Sequence, residues 1–254
     1  MSIKMAVAGK GGCGKTSITA LVIRYLQKNG NVPILAVDAD PNANLGESLG
    51  LKVGQTIGTI LDGFQHEKIS IPQGMTKEAY LDYKLNETIV ESQGLDLITM
   101  GRGQGPECYC YPNLILKRFI ERLSENYAYV VMDNEAGMEH LSRKTTDEVD
   151  ALLLVSNHSV KGVRAISRIL ELVNELKLRI KKKLVIINLV PDKLDPLVAE
   201  ELKRLGLKPD ILIPEDENLY RYDLEQKPLI AMPDNSPAVQ AVSKMMAELK
   251  IRQP

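Results

Sequence analysis

The run Gly9-Lys10-Gly11-Gly12-Cys13-Gly14-Lys15-Thr16 fits the pattern G-x-x-x-x-G-K-[ST]. Its chemistry is the cradling of a polyphosphate. Glycines let successive backbone N–H groups turn inward, and a helix that starts at the loop adds partial positive charge from its N-terminus. Lys15 can then reach the β- and γ-phosphates, and the Thr16 hydroxyl can ligate Mg²⁺. Two acidic stretches suit the same site. The run ILAVD leads into Asp38-Ala39-Asp40-Pro41, and YVVMD ends at Asp133, followed by Asn134-Glu135-Ala136-Gly137. A carboxylate at a strand end can hold an Mg²⁺-bound water or orient an attacking water. Capping a helix is the plainer use of an Asp at such a place.

A third feature is Cys108-Tyr109-Cys110, after the run LDLIT and before a helix that Pro112 can open. Two thiols one residue apart can chelate one soft metal ion. A nearby helix N-terminus and Arg102 favour thiolate. Two cysteines make half of a four-coordinate site, and a two-fold dimer apposes the same patch twice, which brings four thiols to one axis. A pair of loop thiols with no ligand is the alternative.

These residues need a scaffold, and the pattern of apolar runs supplies one. Ile3–Ala8, Pro33–Asp38, Leu95–Thr99, Tyr129–Asp133, Ala151–Ser156, Lys183–Asn188 and Asp210–Pro214 are short and rich in Val, Ile and Leu. Most lack strict apolar/polar alternation, so they read as strands covered on both faces. Helical patterns alternate with them at Lys15–Asn29, which stops at Gly30, and at Pro112–Leu123, Lys161–Leu178, Asp195–Leu205 and Ser236–Leu249. The alternation predicts an α/β fold, a doubly wound and mainly parallel sheet with helices on both faces, as one domain over residues 1–254. Residues 52–94 read as an irregular insertion with short helices.

Composition narrows the function. Lys plus Arg is 32 against 33 for Asp plus Glu, a net charge of −1 that argues against coating DNA or an anionic membrane. Aromatic residues are 4%, so the core must be aliphatic. Three cysteines exclude a disulfide framework, no apolar stretch is long enough to span a membrane, and the N-terminus lacks a secretory pattern. A cytoplasmic protein is the expectation.

With Lys10 at its start the loop reads K-G-G-x-G-K-T, and the chain resembles the deviant Walker-A ATPases over nearly its whole length. That family includes the septum-site protein MinD, the chromosome-partition ATPases and the nitrogenase iron protein. Val37–Pro41, Asp133–Gly137 and the segment IPEDENLYRYDLEQKPL at Ile213–Leu229 also carry the likeness. The resemblance implies ATP sandwiched between two protomers. Gly9 through Ser17 and Gly137 would line the nucleotide, and Lys10 would reach the partner's. Asp40 would position the attacking water, with Asp38 and Asp133 near Mg²⁺. Asn188 would hydrogen-bond the adenine, as an amide can, and Pro214 and Glu215 would pack by its ring. An Asn that caps a turn is the other reading of Asn188.

The Cys108/Cys110 pair, with Glu139-His140-Leu141 after the switch-like segment, further resembles the CooC-type ATPases. These are nickel-insertion accessory proteins of carbon monoxide dehydrogenase, related to the AcsF proteins of acetyl-CoA synthase. That likeness implies slow ATP hydrolysis to ADP by an ATP-dependent homodimer. The dimer would hold Ni²⁺, or Zn²⁺ in its place, between the C-x-C pairs and deliver it to one of those enzymes, without nucleic acid or membrane as partner. A MinD- or partition-type positioning switch is the alternative. The last helix puts Val239, Val242, Met246 and Leu249 on one stripe, which either a lipid-bound tail or a helix packed on its own sheet would do. Lys181–Lys183 reads as a solvated loop. Cys13 reads as a small packed residue, and the lack of cysteine in Asp133–His140 counts against a bridging iron–sulfur cluster.

Overall fold

The structure is a computed structural model, and it describes residues 2–66, 71–102, 118–135 and 148–249. Seven strands, β1 (Ile3–Gly9), β2 (Ile34–Asp38), β3 (Leu95–Thr99), β4 (Tyr129–Asp133), β5 (Glu148–Asn157), β6 (Arg179–Val190) and β7 (Ile211–Pro214), form one sheet in the order β3-β2-β4-β1-β5-β6-β7. Every ladder between them is parallel. All seven expected runs are strands. β2 and β4 are buried at every position, as strands covered on both faces must be.

Each face carries its own aliphatic core. Met5 and Val7 of β1 join Ala36, Val131 and Leu153 against helix α1 (Lys15–Lys28) and the helix Pro237–Leu249. Ala6 and Ala8 point the other way, toward Leu35, Met132 and Leu154 and the helices Val160–Glu175 and Pro196–Arg204. Burying each Leu, Ile or Val side chain contributes about 1.5–3 kcal/mol, which explains how a chain poor in aromatics holds its core. Val239, Val242, Met246 and Leu249 are all buried in the α1-side core, so the apolar stripe of the last helix packs on its own sheet.

One expectation changes. Lys181–Lys183 is strand, not loop: β6 keeps pairing with β5 from Glu148↔Arg179 onward. The charged run is exposed there, and Lys181 donates to Asp150 at 2.8 Å, so ladder bonds and an ion pair hold a segment with no apolar pattern. Residues 52–94 hold the expected short helices, Ile57–His66 and Lys77–Asn86, the second capped by the Thr76 side chain. The helix Glu217–Leu224, capped by Asp216, had no apolar stripe to announce it, and none of its residues is buried.

Candidate functional site

α1 starts at Gly14, and its direction is fixed at both ends. Near its C-terminal end Arg24, 3% exposed, donates to the Met232 carbonyl at 2.6 Å and to Asp234 at 2.5 Å. At its start the Thr16 hydroxyl donates to Asp133 Oδ2 at 2.6 Å. Thr19, one turn on and on the same helix face, donates to the Lys15 carbonyl at 2.9 Å and approaches Asp133 Oδ1 at 3.3 Å. Thr19 is a site residue beyond those expected, and its spacing from Thr16 is the signal that points to it.

The loop between β1 and α1 is shaped by glycine where it must be. A Cβ on Gly9 would lie 2.2 Å from the Val155 carbonyl oxygen and 2.8 Å from Cys13 Sγ, so β1 ends against β5 only without a side chain. Gly12 and Gly14 take φ of 75° and 90°, in the left-handed region. A Cβ on Gly11 or Gly12 would meet nothing within 4 Å, so the crest of the loop is open, as a phosphate cradle requires. Cys13 lies under it, 1% exposed, with Sγ donating to the Val155 carbonyl at 3.3 Å. Burial raises its thiol pKa, and Lys15 opposes that only in part. Cys13 is thus a packed neutral thiol. Lys15 is buried with Nζ 3.4 Å from the Lys10 carbonyl, whereas the Lys10 side chain is exposed; Ser17 is half-buried on the first turn of α1.

The carboxylates meet at the strand ends. Asp38 and Asp133 are register partners on β2 and β4, so their side chains share the α1 face. Asp38 accepts from the Asp40 N–H at 3.1 Å and the Leu45 N–H at 2.9 Å. Burial pushes its pKa up to about 7, with Asp133 adding to the rise. Burial likewise lifts Asp133 to about 6 against the bonds from Thr16 and Thr19. Two buried acids with raised pKa values, one of them bonded by the Thr16 hydroxyl, form a donor set that a hard divalent cation would relieve, so these residues fit Mg²⁺. Thr16 would hold it, with Asp38 and Asp133 around it, and it would neutralise phosphate charge.

A pH dependence follows. A raised acid pKa means that the folded chain binds protons more readily than the unfolded chain. The stability this contributes is complete in acid and is lost as pH rises through about 6 and then about 7. In chelator, the melting temperature is expected to fall from about pH 4 to about pH 7, and Asp38→Asn should flatten that slope. A thermal scan across this range checks it; equal slopes in both proteins would contradict it.

Asn188 sits next to the loop rather than apart from it. Its Nδ2 donates to the Cys13 carbonyl at 2.9 Å, and it lies in a bulge of β6 where Leu189 takes φ of 59°. β6 therefore runs two residues past Asn188. The side chain braces the phosphate loop. Asn134 braces the other side, donating from its N–H and Nδ2 to the Val7 carbonyl at 3.1 and 3.0 Å. Pro214 ends β7, and exposed Glu215 donates its N–H to the Val190 carbonyl at 3.0 Å, at the same end of the sheet. Gly137, Cys108, Cys110 and His140 lie outside the described residues. Among the described residues no group of three or more His, Cys, Asp or Glu is arranged to hold a metal ion.

This loop, its helix and its paired carboxylates define a P-loop nucleotide-binding protein. More particularly, the chain belongs to the family described as the CobQ/CobB/MinD/ParA nucleotide-binding domain, whose model matches residues 4–229. It is an ATPase of the MinD/ParA type. It is 40% identical over 247 residues to an uncharacterized ATP-binding protein of Methanocaldococcus jannaschii, covering 96% of this chain and 97% of that one. It is 27% identical to the carbon monoxide dehydrogenase accessory protein CooC of Rhodospirillum rubrum, over 70% of this chain and 71% of that protein. Among solved structures, a ParA family ATPase from Chlorobium tepidum shares its fold with a TM-score of 0.75 at 20% identity, covering 98% and 99% of the two chains. Among the described residues no helix is long and apolar enough to cross a membrane.

Proposed function

We propose that this protein is an ATP-driven metallochaperone. It binds a soft divalent ion, nickel or zinc in its place, through Cys108 and Cys110 at a homodimer interface. It delivers nickel to a metal cluster of carbon monoxide dehydrogenase or acetyl-CoA synthase. The observation that carries this reading is the C-x-C pair in a chain whose phosphate loop and acidic strand ends are complete. The likeness to CooC over 70% of this chain and 71% of that protein supports it. The acceptor is proposed on the same likeness, because the two thiols themselves choose between metals only by geometry and availability.

The chemistry is almost wholly positioning and charge. The loop's N–H groups and Lys15 hold the β- and γ-phosphates. Asp40 orients a water in line with the γ-phosphate, and Lys10 reaches the nucleotide of the partner subunit. Mg²⁺, when bound, supplies charge neutralisation at the phosphates. Asn188, through its carbonyl oxygen, and the Pro214–Glu215 turn contact the base, and Gly137 lines the nucleotide. A cation near a neighbour's γ-phosphate stabilises the closed pair more with ATP than with ADP, and only such a difference shifts a population.

Lys10→Ala is therefore expected to weaken ATP-dependent dimerisation while its melting curve stays that of the parent. Light scattering on Asp40→Ala, with and without Lys10→Ala, reads this directly. Equal dimer mass in both proteins at the same ATP concentration would remove Lys10 from the interface. A positioning switch of the MinD or partition kind is separated by vesicle sedimentation and by DNA binding at stated salt, both expected to be negative.

A further inference from the structure

Among the described residues Asp40 is held by its neighbours on one side only. Its Oδ1 accepts from the Asn42 N–H at 2.8 Å and from Asn42 Nδ2 at 2.9 Å, whereas no bond to Oδ2 is made among the described residues. On the far side of the Asn42 amide, Arg102 Nη2 donates to Asn42 Oδ1 at 3.2 Å. A guanidinium can only donate, so the amide oxygen must face Arg102 and the amide nitrogen must face the carboxylate. Arg102 thus pins the orientation of Asn42, and Asn42 pins the rotation of Asp40. We infer that Asn42 and Arg102 are positioning residues for ATP hydrolysis, holding Asp40 so that Oδ2 faces the attacking water. This rests on the proposed role of Asp40.

The backbone around each member is arranged for this. Ala43 takes a left-handed φ of 56° and donates its N–H to the Asp40 carbonyl at 3.0 Å, which closes the turn that aims Asn42 back at Asp40. Met100 donates its N–H to the Asp38 carbonyl at 2.8 Å, and Gly58 donates to the Met100 carbonyl at 2.7 Å. Gly101 then turns with φ of 63° where a Cβ would lie 2.4 Å from Thr56 Oγ1. The root of Arg102 is therefore anchored to the strand end that carries Asp38, and its side chain reaches across sixty residues of sequence to the Asp40 turn.

The experiment uses the full chain with Asn42→Ala, Arg102→Ala, Arg102→Lys, the Asn42→Ala/Arg102→Ala pair and Asp40→Ala, measuring kcat and KM for MgATP. Asn42→Ala and Arg102→Ala should each lower kcat about tenfold, as a misplaced reacting group does, with KM within about twofold of the parent. Arg102→Lys keeps one donor and should fall between the parent and Arg102→Ala. The double variant should lose no more than Asn42→Ala alone, because the two residues act in series. Parental kcat in Arg102→Ala, or losses that multiply in the double variant, would overturn the inference. Asp40→Ala separates the two levels. If it turns over ATP like the parent, the role of Asp40 itself fails. If it is inactive while Arg102→Ala runs at the parental rate, only the positioning inference fails.

Discussion

Lys15→Ala should hydrolyse ATP about 10²- to 10³-fold more slowly than the parent, the loss typical of removing one preorganised charge from a phosphoryl or acyl transition state. Lys15 is 7% exposed and its ammonium approaches the loop's own Lys10 carbonyl at 3.4 Å, so it is already held at the phosphate cradle. The substitution should spare the fold. α1 stays anchored by Arg24 to Asp234 and by Thr16 to Asp133, neither of which involves Lys15. Nucleotide affinity should fall as well, because in the proposed mechanism Lys15 contacts phosphate before and during the reaction. Phosphate release at saturating MgATP, beside a thermal melt, tests this. Turnover within about tenfold of the parent, in a folded variant, would take Lys15 out of the mechanism.

The Cys108→Ala/Cys110→Ala variant should lose stoichiometric Ni²⁺ and Zn²⁺ binding altogether while binding ATP like the parent. Soft thiolates dominate affinity for these ions, and among the described residues no other cluster could replace them. A tetrahedral or square-planar ion is half coordinated by one pair, so the single variants should also lose most of the affinity. Thiolate-to-metal charge-transfer absorption during titration reads the site itself. A parental titration curve in the double variant would return the chain to a plain nucleotide switch.

Much of this architecture was legible in the residues. Aliphatic runs such as YVVMD are buried on both faces, and continuous burial leaves a pattern that needs no partner to interpret. The phosphate loop was legible because its glycines are demanded locally, Gly9 by the Val155 carbonyl and Gly14 by its left-handed φ. What escaped depends on tertiary neighbours. Lys181–Lys183 is a strand because β5 lies beside it, not because of its composition. Asn188 offered a donor and an acceptor, but only the fold sets its Nδ2 on the Cys13 carbonyl. The chain Asp40–Asn42–Arg102 joins residues far apart in sequence and left no spacing to notice.

The central claim is that ATP and a soft metal ion act on one dimeric assembly. Binding must then be reciprocal: ATP tightens the metal site and metal tightens the nucleotide-bound dimer. The most direct measurement is a Ni²⁺ titration of the Asp40→Ala protein with MgATP and with MgADP, with mass read by light scattering at each point. One ion per dimer is expected, tighter with ATP than with ADP, with a larger dimer fraction when nickel is bound. Equal nickel affinity in ATP and ADP, or one ion bound per monomer with no change in mass, would contradict it.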